Sequence, residues 1–205
     1  SSASSEFTFS VTDIEELINF STFLAASSFA EDTATGTTIA TASATNTEGD
    51  AITFSLSGTG SEKFSVSSDG TVTLSSALDY ESTTSYNLTL TASDGTNTAT
   101  NSIVFSVSNI NEAVTLSTSV ASSSFSEGTA TGTTIATASA TDPENATISY
   151  TLSGTGSEKF SVSSDGTVTL ANALDYETTT SYNLTLTASD GTNSTNSNLA
   201  ISVTD

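Results

Sequence analysis

The sequence predicts an all-β chain, two seven-stranded Greek-key β-sandwiches in tandem, and three observations carry that prediction. The first is an internal repeat. Ser57 to Leu74 recurs letter for letter as Ser153 to Leu170, and Thr83 to Asn97 as Thr179 to Asn193, so both copies are displaced by 96 residues (57 to 153, 83 to 179). The register holds without a gap from Glu6 opposite Ser102 to Asn109 opposite Asp205, which makes the chain a little over two copies of one unit. The second is a period of two among the apolar residues, the mark of strands with one buried face. The third is composition. With 41 Ser and 42 Thr, the alternate positions hold β-prone polar residues suited to a solvated outer face.

The elements follow in chain order. Phe7 to Asp13 matches Ile103 to Asn109, so residues 1–16 read as the end of a preceding repeat and a linker. Ile14 to Phe20 has a short helix-compatible spacing, but the repeat register assigns it to linker and first strand. The first repeat then spans 17–110. Its alternation runs through Ile52, Phe54 and Leu56, Phe64 and Val66, Val72 and Leu74, Tyr86, Leu88, Leu90 and Ala92, and finally Ile103, Phe105 and Val107. Asp69-Gly70 and Asp94-Gly95 lie between such runs as hairpin signals. The second repeat, 111–205, follows the same pattern. About seven short strands in a unit of under roughly 100 residues is the proportion of a β-sandwich. The cut repeats at the two ends imply a segment of a longer array.

Charge and missing residue types then exclude most chemistries. There are 23 Asp and Glu against 2 Lys and no Arg, a formal charge of −21, which argues against nucleic acid as a partner. Without Cys, His, Met or Trp, the chain cannot build an N/S zinc site, a thiol nucleophile, a Ser-His-Asp relay or a disulfide framework. No enzyme activity is expected. No apolar run is long enough for membrane insertion within this segment.

The acids are placed unevenly. A solvated coat would scatter over outward strand faces, yet Glu31, Asp79, Glu81, Glu112, Asp142, Glu144 and Asp190 fall at strand ends and in the joining segment. Asp79 and Glu81 are two apart, and in an extended chain they would point to the same side. Such a pair repels unless a cation lies between, and an oxygen-only cluster suits a hard cation of high coordination number, Ca²⁺ rather than Mg²⁺. Plainer readings stand beside this one. Asp69 and Asp165 suit hairpin turns, and a turn role is also open for Asp94 and Asp190. Glu62-Lys63 and Glu158-Lys159 read as solvated loop charges. The Asn-Leu-Thr triplets at Asn87 and Asn183 are assigned no role.

Several segments taken together resemble a known family. Phe125-Ser126-Glu127, Ala140 to Tyr150 with Asp142-Pro143-Glu144-Asn145, Ala173-Leu174-Asp175-Tyr176-Glu177 and Ala188-Ser189-Asp190-Gly191 are similar to the motifs of cadherin repeats, in the family's order. The linker Val107-Ser108-Asn109-Ile110-Asn111-Glu112-Ala113 stands where that family carries D-x-N-D-N. The Ser/Thr-rich, Arg-free version resembles the cadherin-like repeats of large bacterial calcium-dependent surface adhesins. The resemblance implies cadherin-like, immunoglobulin-like sandwiches with Ca²⁺ at each junction. Carried over, the central junction would use Glu31, Asp79 and Glu81, then Asn109, the Ile110 carbonyl, Asn111 and Glu112, and from the second repeat Asp142, Glu144, Asn145 and Asp190. Departures at Asn109, Ala113 and Glu144 leave the number of ions open. Asp13, Glu15, Glu16, Asn46, Glu48 and Asp94, with Asp50 open as a further ligand, would form the upper half of one cut junction. Glu127, Asp175, Glu177 and Asp205 would form the lower half of another. Both halves are expected to bind weakly or not at all.

The function implied is an extracellular extender, in which interdomain Ca²⁺ stiffens neighbouring repeats of a cell-surface adhesin. The alternative is a carbohydrate-binding or homophilic module. Its one hint is a set of aromatics, Phe20, Phe23 and Phe29, replaced by Leu116, Ser119 and Phe125 in the second repeat.

Overall fold

In the computed structural model, which describes residues 7–10 and 17–205, the period-two runs are strands with their apolar side chains turned inward. The chain divides into two compact units, and the second begins at Asn111. In the first unit the strands are β1 (Asn19–Leu24), β2 (Ser28–Ala30), β3 (Thr38–Thr45), β4 (Thr53–Ser57), β5 (Phe64–Val66), β6 (Thr71–Leu74), β7 (Ser85–Ser93) and β8 (Thr98–Ser108). Two four-stranded sheets result, ordered β1-β3-β6-β5 and β2-β8-β7-β4. The second unit repeats them with β9 (Thr115–Val120), β10 (Ser124–Ser126), β11 (Thr134–Thr141), β12 (Ser149–Ser153), β13 (Phe160–Val162), β14 (Thr167–Leu170), β15 (Ser181–Ser189) and β16 (Ser194–Thr204). Its sheets are ordered β13-β14-β11-β9 and β10-β16-β15-β12. There is no α-helix among the described residues, only single 3₁₀ turns at Ser61–Lys63 and Ser157–Lys159, and no helix is long and apolar enough to cross a membrane.

Each unit thus has eight strands where seven are expected, because the first strand is divided. β1 pairs antiparallel with β3, whereas β2 pairs parallel with β8, the last strand of the other sheet. Between them Ala25 N still donates to Ile39 O (2.9 Å), and Ser27 O already accepts from Ser106 N (3.1 Å). The chain changes sheet in a short step with these backbone groups satisfied on either side.

The core of the first unit is a cluster of rings. Phe105 lies 5.2 Å from Phe29, 5.7 Å from Phe64 and 5.4 Å from Tyr86, measured between ring centroids. In the second unit Ile201 takes the place of Phe105 and the Phe160–Tyr182 pair persists at 5.2 Å. Burying each such side chain contributes about 1.5–3 kcal/mol. Gly60, at φ 81°, lets the chain pass over Tyr86, since a Cβ there would lie 2.6 Å from Tyr86 Cε1. Of the three aromatics expected to form a surface patch, Phe20 and Phe29 pack against this core and Phe23 alone is exposed, at 71%. The alternation explains this outcome: Phe20 falls on the inward face of β1 and Phe23 on the outward one.

Candidate cation-binding sites

Glu31 follows β2 directly, and its own N–H continues the β2–β8 pairing by donating to Ser108 O (3.1 Å). That anchor turns its side chain inward, and it is 6% exposed. Its Oε2 accepts from Tyr80 N (2.8 Å) and its Oε1 from Ile110 N (2.6 Å). One carboxylate therefore fastens the 79–82 turn and the end of the unit to the strand that precedes it. Carboxylate oxygens of Glu31 and Glu81 lie within 4.8 Å of each other. Asn109 and Ile110 are exposed beside them.

Asp79 corrects the expectation of an extended pair. Residues 80–82 form a turn, with Asp79 Oδ1 accepting from Ser82 N (2.8 Å), Oδ2 from Ser82 Oγ (3.0 Å), and the Asp79 carbonyl from Thr83 N (2.9 Å). The side-chain oxygen of Asp79 closes this turn, a competition with strand pairing that an Asp followed by Ser and Thr invites. The Ser82 donors hold the Asp79 carboxyl below its ordinary pKa.

The second unit repeats this end. Glu127 Oε2 accepts from Tyr176 N (2.9 Å), and Asp175 accepts from Thr178 N (3.0 Å) and Thr178 Oγ1 (2.7 Å), which lowers its pKa. Carboxylate oxygens of Glu127, Asp175 and Glu177 all lie within 4.8 Å of one another. Asp205, the final residue, is exposed.

The opposite end of the second unit gathers the residues expected from the linker and from the β11–β12 and β15–β16 connections. Asp190 Oδ1 closes its turn by accepting from Thr192 N and Asn193 N, both at 2.6 Å, and Oδ2 accepts from Asn111 Nδ2 (2.8 Å). The Asn111 amide, then Thr192 N, lower the Asp190 pKa. The turn reading of this residue thus holds through Oδ1, while Oδ2 lies on the linker amide. Glu144 Oε1 accepts from Glu112 N (3.2 Å), and carboxylate oxygens of these two residues lie within 4.8 Å of each other. Asp142 is 8% exposed, and its Oδ1 accepts from Ala146 N (3.0 Å). Asn145 sits at φ 58° and uses its amide locally, donating to Pro143 O (3.3 Å). Asp142 Oδ2 and Glu144 Oε2 are buried and accept no hydrogen bond. A buried polar oxygen without a hydrogen bond is costly and calls for a partner, a water or a cation.

Asn193 is a contributor the sequence reading missed. Its Nδ2 donates to the carbonyls of Asn111 (2.9 Å) and Glu112 (2.8 Å), fixing the linker against β16. Its place three residues after Asp190 marks it as part of the same turn but gives no sign of its bonds to the linker.

Among the described residues, the matching end of the first unit has Asn46 where the second has Asp142. Asn46 Oδ1 accepts from Gly49 N (2.9 Å) and Asp50 N (3.0 Å), and its Nδ2 donates to Asp94 Oδ2 at 3.4 Å. Asp94 Oδ1 accepts from Asn97 N (2.6 Å) and Thr96 N (2.9 Å), and these donors lower its pKa. Glu48 and Asp50 are exposed. Asp13, Glu15 and Glu16 lie outside the described residues. Asp69 and Asp165 are turn formers as expected, each accepting from Thr71 N or Thr167 N at 3.0 Å.

Each end therefore offers hard oxygen donors in excess negative charge, the donor set that suits Ca²⁺. Known proteins share this arrangement of sequence and fold. A family model described as Cadherin domain matches residues 26–108 and 121–204. Cadherin EGF LAG seven-pass G-type receptor 2, of mouse and of human, is 35% identical over 170 residues, 78% of this chain and 6% of the receptor. Human Cadherin-23 is 33% identical over 197 residues, 91% of this chain and 6% of that protein. The chain thus spans a small fraction of the length of these animal relatives. Among solved structures, human Protocadherin-24 EC1-2 superposes with a TM-score of 0.62 at 25% identity, covering 87% of this chain and 93% of that one. Drosophila N-cadherin EC1-4 shares the fold with a TM-score of 0.58 at 20% identity, covering 87% and 47% of the two chains.

Proposed function

The chain belongs to the cadherin family, and from that premise we propose that it is a Ca²⁺-binding extender module of a cell-surface adhesin, stiffened by cations bound where repeats join. The observation that carries this reading is the pair of buried carboxylate oxygens, Asp142 Oδ2 and Glu144 Oε2, without a donor. A divalent cation supplies the missing positive charge, neutralising several carboxylates at once.

Under this proposal the ligands are Glu31, Asp79, Glu81, Asn109 and Ile110 from the first repeat and Asn111, Glu112, Asp142, Glu144, Asn145 and Asp190 from the second. Two of the supports already described act from opposite sides of the Ile110–Asn111 peptide. Ile110 N is bonded to Glu31 in its own unit, and Asn111 to Asp190 in the other. Each bond keeps a linker residue beside the acids of its own unit. Ca²⁺ then stabilises the folded repeats by mass action. Affinities of about 10⁻⁴ to 10⁻³ M, typical of extracellular modules, would make stiffening a property of the outside of the cell. The setting we assign, a large bacterial surface adhesin, rests on the Ser/Thr-rich, Arg-free composition. The extender reading is favoured over a glycan-binding or homophilic module because Phe23, the exposed member of the expected patch, becomes Ser119 in the second repeat.

Small-angle scattering through a Ca²⁺ titration, from chelator to millimolar, tests the proposal. A maximum dimension that sharpens with Ca²⁺ in the parent chain and stays broad in Asp142→Ala supports it. A profile indifferent to Ca²⁺ refutes it.

A further inference from the structure

The chain has two basic side chains, Lys63 and Lys159, and the structure uses them alike. Each ends one of the two 3₁₀ turns. The Lys63 carbonyl accepts from Ser75 N (2.7 Å) and Ser76 N (3.2 Å), while its ammonium donates to Ala77 O (2.7 Å). In the second unit Lys159 O accepts from Ala171 N (2.8 Å) and Asn172 N (3.1 Å), and its ammonium donates to Ala173 O (2.8 Å). One residue thus grips three consecutive residues through its carbonyl and its side chain. Immediately beyond come the buried Leu78 or Leu174 and then the acid-bearing Asp-Tyr-Glu turn.

We propose that Lys63 and Lys159 are positioning residues, each fixing the course of the chain into its acid-bearing turn and setting one positive charge against carboxylates that have not yet met a cation. The first half stands on the hydrogen bonds alone; the second rests on the Ca²⁺ reading above.

The physical case is one of opposed forces. Glu31 and Glu81 in one unit, and Glu127, Asp175 and Glu177 in the other, hold their carboxylates within 4.8 Å of one another, and like charges so placed push the turn outward. Holding a long lysine side chain in one geometry costs rotamer entropy, which a purely solvated charge avoids. The same ammonium-to-carbonyl bond nevertheless forms in both units. Its charge is held near the turn: the ammonium sits on the Ala77 or Ala173 carbonyl, two residues before Asp79 or Asp175. Reading these lysines as ordinary solvated loop charges is thereby corrected.

The test is amide hydrogen exchange by NMR on the full chain, comparing Lys63→Met and Lys63→Arg with the parent, in chelator and in saturating Ca²⁺. Lys63→Met keeps the apolar stem and removes the donor. In chelator it should speed exchange at Tyr80, Ser82 and Thr83 by about tenfold or more, as expected for loss of a charge-assisted bond. Leu88 and Leu90, in the core, should not change, and Lys63→Arg should restore protection at the turn. Ca²⁺ should shrink the Met defect, since the cation takes over the neutralising charge. Unchanged exchange at the three turn amides, or equal acceleration at Leu88 and Leu90, overturns the positioning role. A defect that persists in Ca²⁺, although the parent turn responds to it, overturns the charge role. A parent turn indifferent to Ca²⁺ refutes the calcium reading and the charge role with it, while the chelator comparison still decides the positioning role.

Discussion

Replacing Glu31 by Ala should damage the first unit more than Glu127→Ala damages the second, although the two residues are repeat equivalents. Glu31→Ala deletes the acceptors for Tyr80 N and Ile110 N, at 2.8 and 2.6 Å. Bonds to an ionised group contribute about 1.5–3 kcal/mol each, giving a gross loss of about 3–6 kcal/mol. The substitution also relieves repulsion with Glu81, whose carboxylate lies within 4.8 Å. At that separation the relief is about 1 kcal/mol for a water-like dielectric and about 3 kcal/mol at an effective value of 20. In chelator the net cost should therefore be roughly 2 kcal/mol, and in Ca²⁺, where the repulsion is already neutralised, it should approach the gross figure. Glu127→Ala deletes the single bond to Tyr176 N (2.9 Å) from a half-buried side chain, a gross loss of about 1.5–3 kcal/mol, and relieves repulsion with both Asp175 and Glu177, so its net cost should be near zero in chelator and about half that of Glu31→Ala in Ca²⁺. Native-state hydrogen exchange reads both units in one sample, with Leu88 and Leu90 reporting the first and Leu184 and Leu186 the second. A Glu31→Ala cost below about 1 kcal/mol in both conditions, or no larger than that of Glu127→Ala, would refute the reasoning.

Two further outcomes are expected. Asp79, Asp94, Asp175 and Asp190 all titrate below their ordinary value in the folded chain, so their stabilisation is complete above the unfolded value of about 3.9 and is lost as pH falls through the depressed folded values. Carboxyl NMR shifts and turn protection should hold steady from neutral pH to about pH 5, and a transition within that window would contradict the assignment. Gly60→Ala and Gly36→Ala both place a side chain at positive φ, 81° and 88°, but only the first collides with a neighbour, the Tyr86 ring. Thermal melting should show a loss of about 1–2 kcal/mol for Gly36→Ala and a larger one for Gly60→Ala; equal losses would mean that the ring yields freely.

Much of this fold could be read from the sequence because a two-residue period leaves little freedom. Once Tyr86, Leu88 and Leu90 face inward, Asn87 and Thr89 between them must face out. The division of the first strand was not legible, because the step from Leu24 to Ser28 contains no Gly or Pro and its cause is pairing with distant β3 and β8. The acid-bearing ends were legible as a set of residues, not as geometry. Asp79 and Glu81 looked extended by spacing, whereas the Asp79 carboxylate folds back onto Ser82, a short-range hydrogen bond that competes with strand pairing. Asn193 was missed because its role is to hold backbone carbonyls of a linker some eighty residues earlier, and a lone Asn in a turn carries no such signal. The sorting of Phe20 from Phe23 was available in the alternation and obscured by their clustering, whereas Phe29 shares the phase of Phe23 and turns inward only because the first strand is divided.

The parallel pairing of β2 with β8 bears on how a unit would respond to tension. β2, which follows β1, and the last strand β8 run in the same direction, joined through Ser28–Ser106, Phe29–Val107 and Ala30–Ser108 and by the flanking bonds from Ser106 N and Glu31 N, each 3.1 Å. A pull on the two ends of the unit drives these neighbours past each other lengthwise. The bonds between them then resist together, in shear, instead of parting one at a time as in an unzipped hairpin. Rupture of this pairing requires the whole short ladder to fail at once, so behind β1 a three-residue strand acts as a mechanical latch against the strand by which the chain leaves the domain.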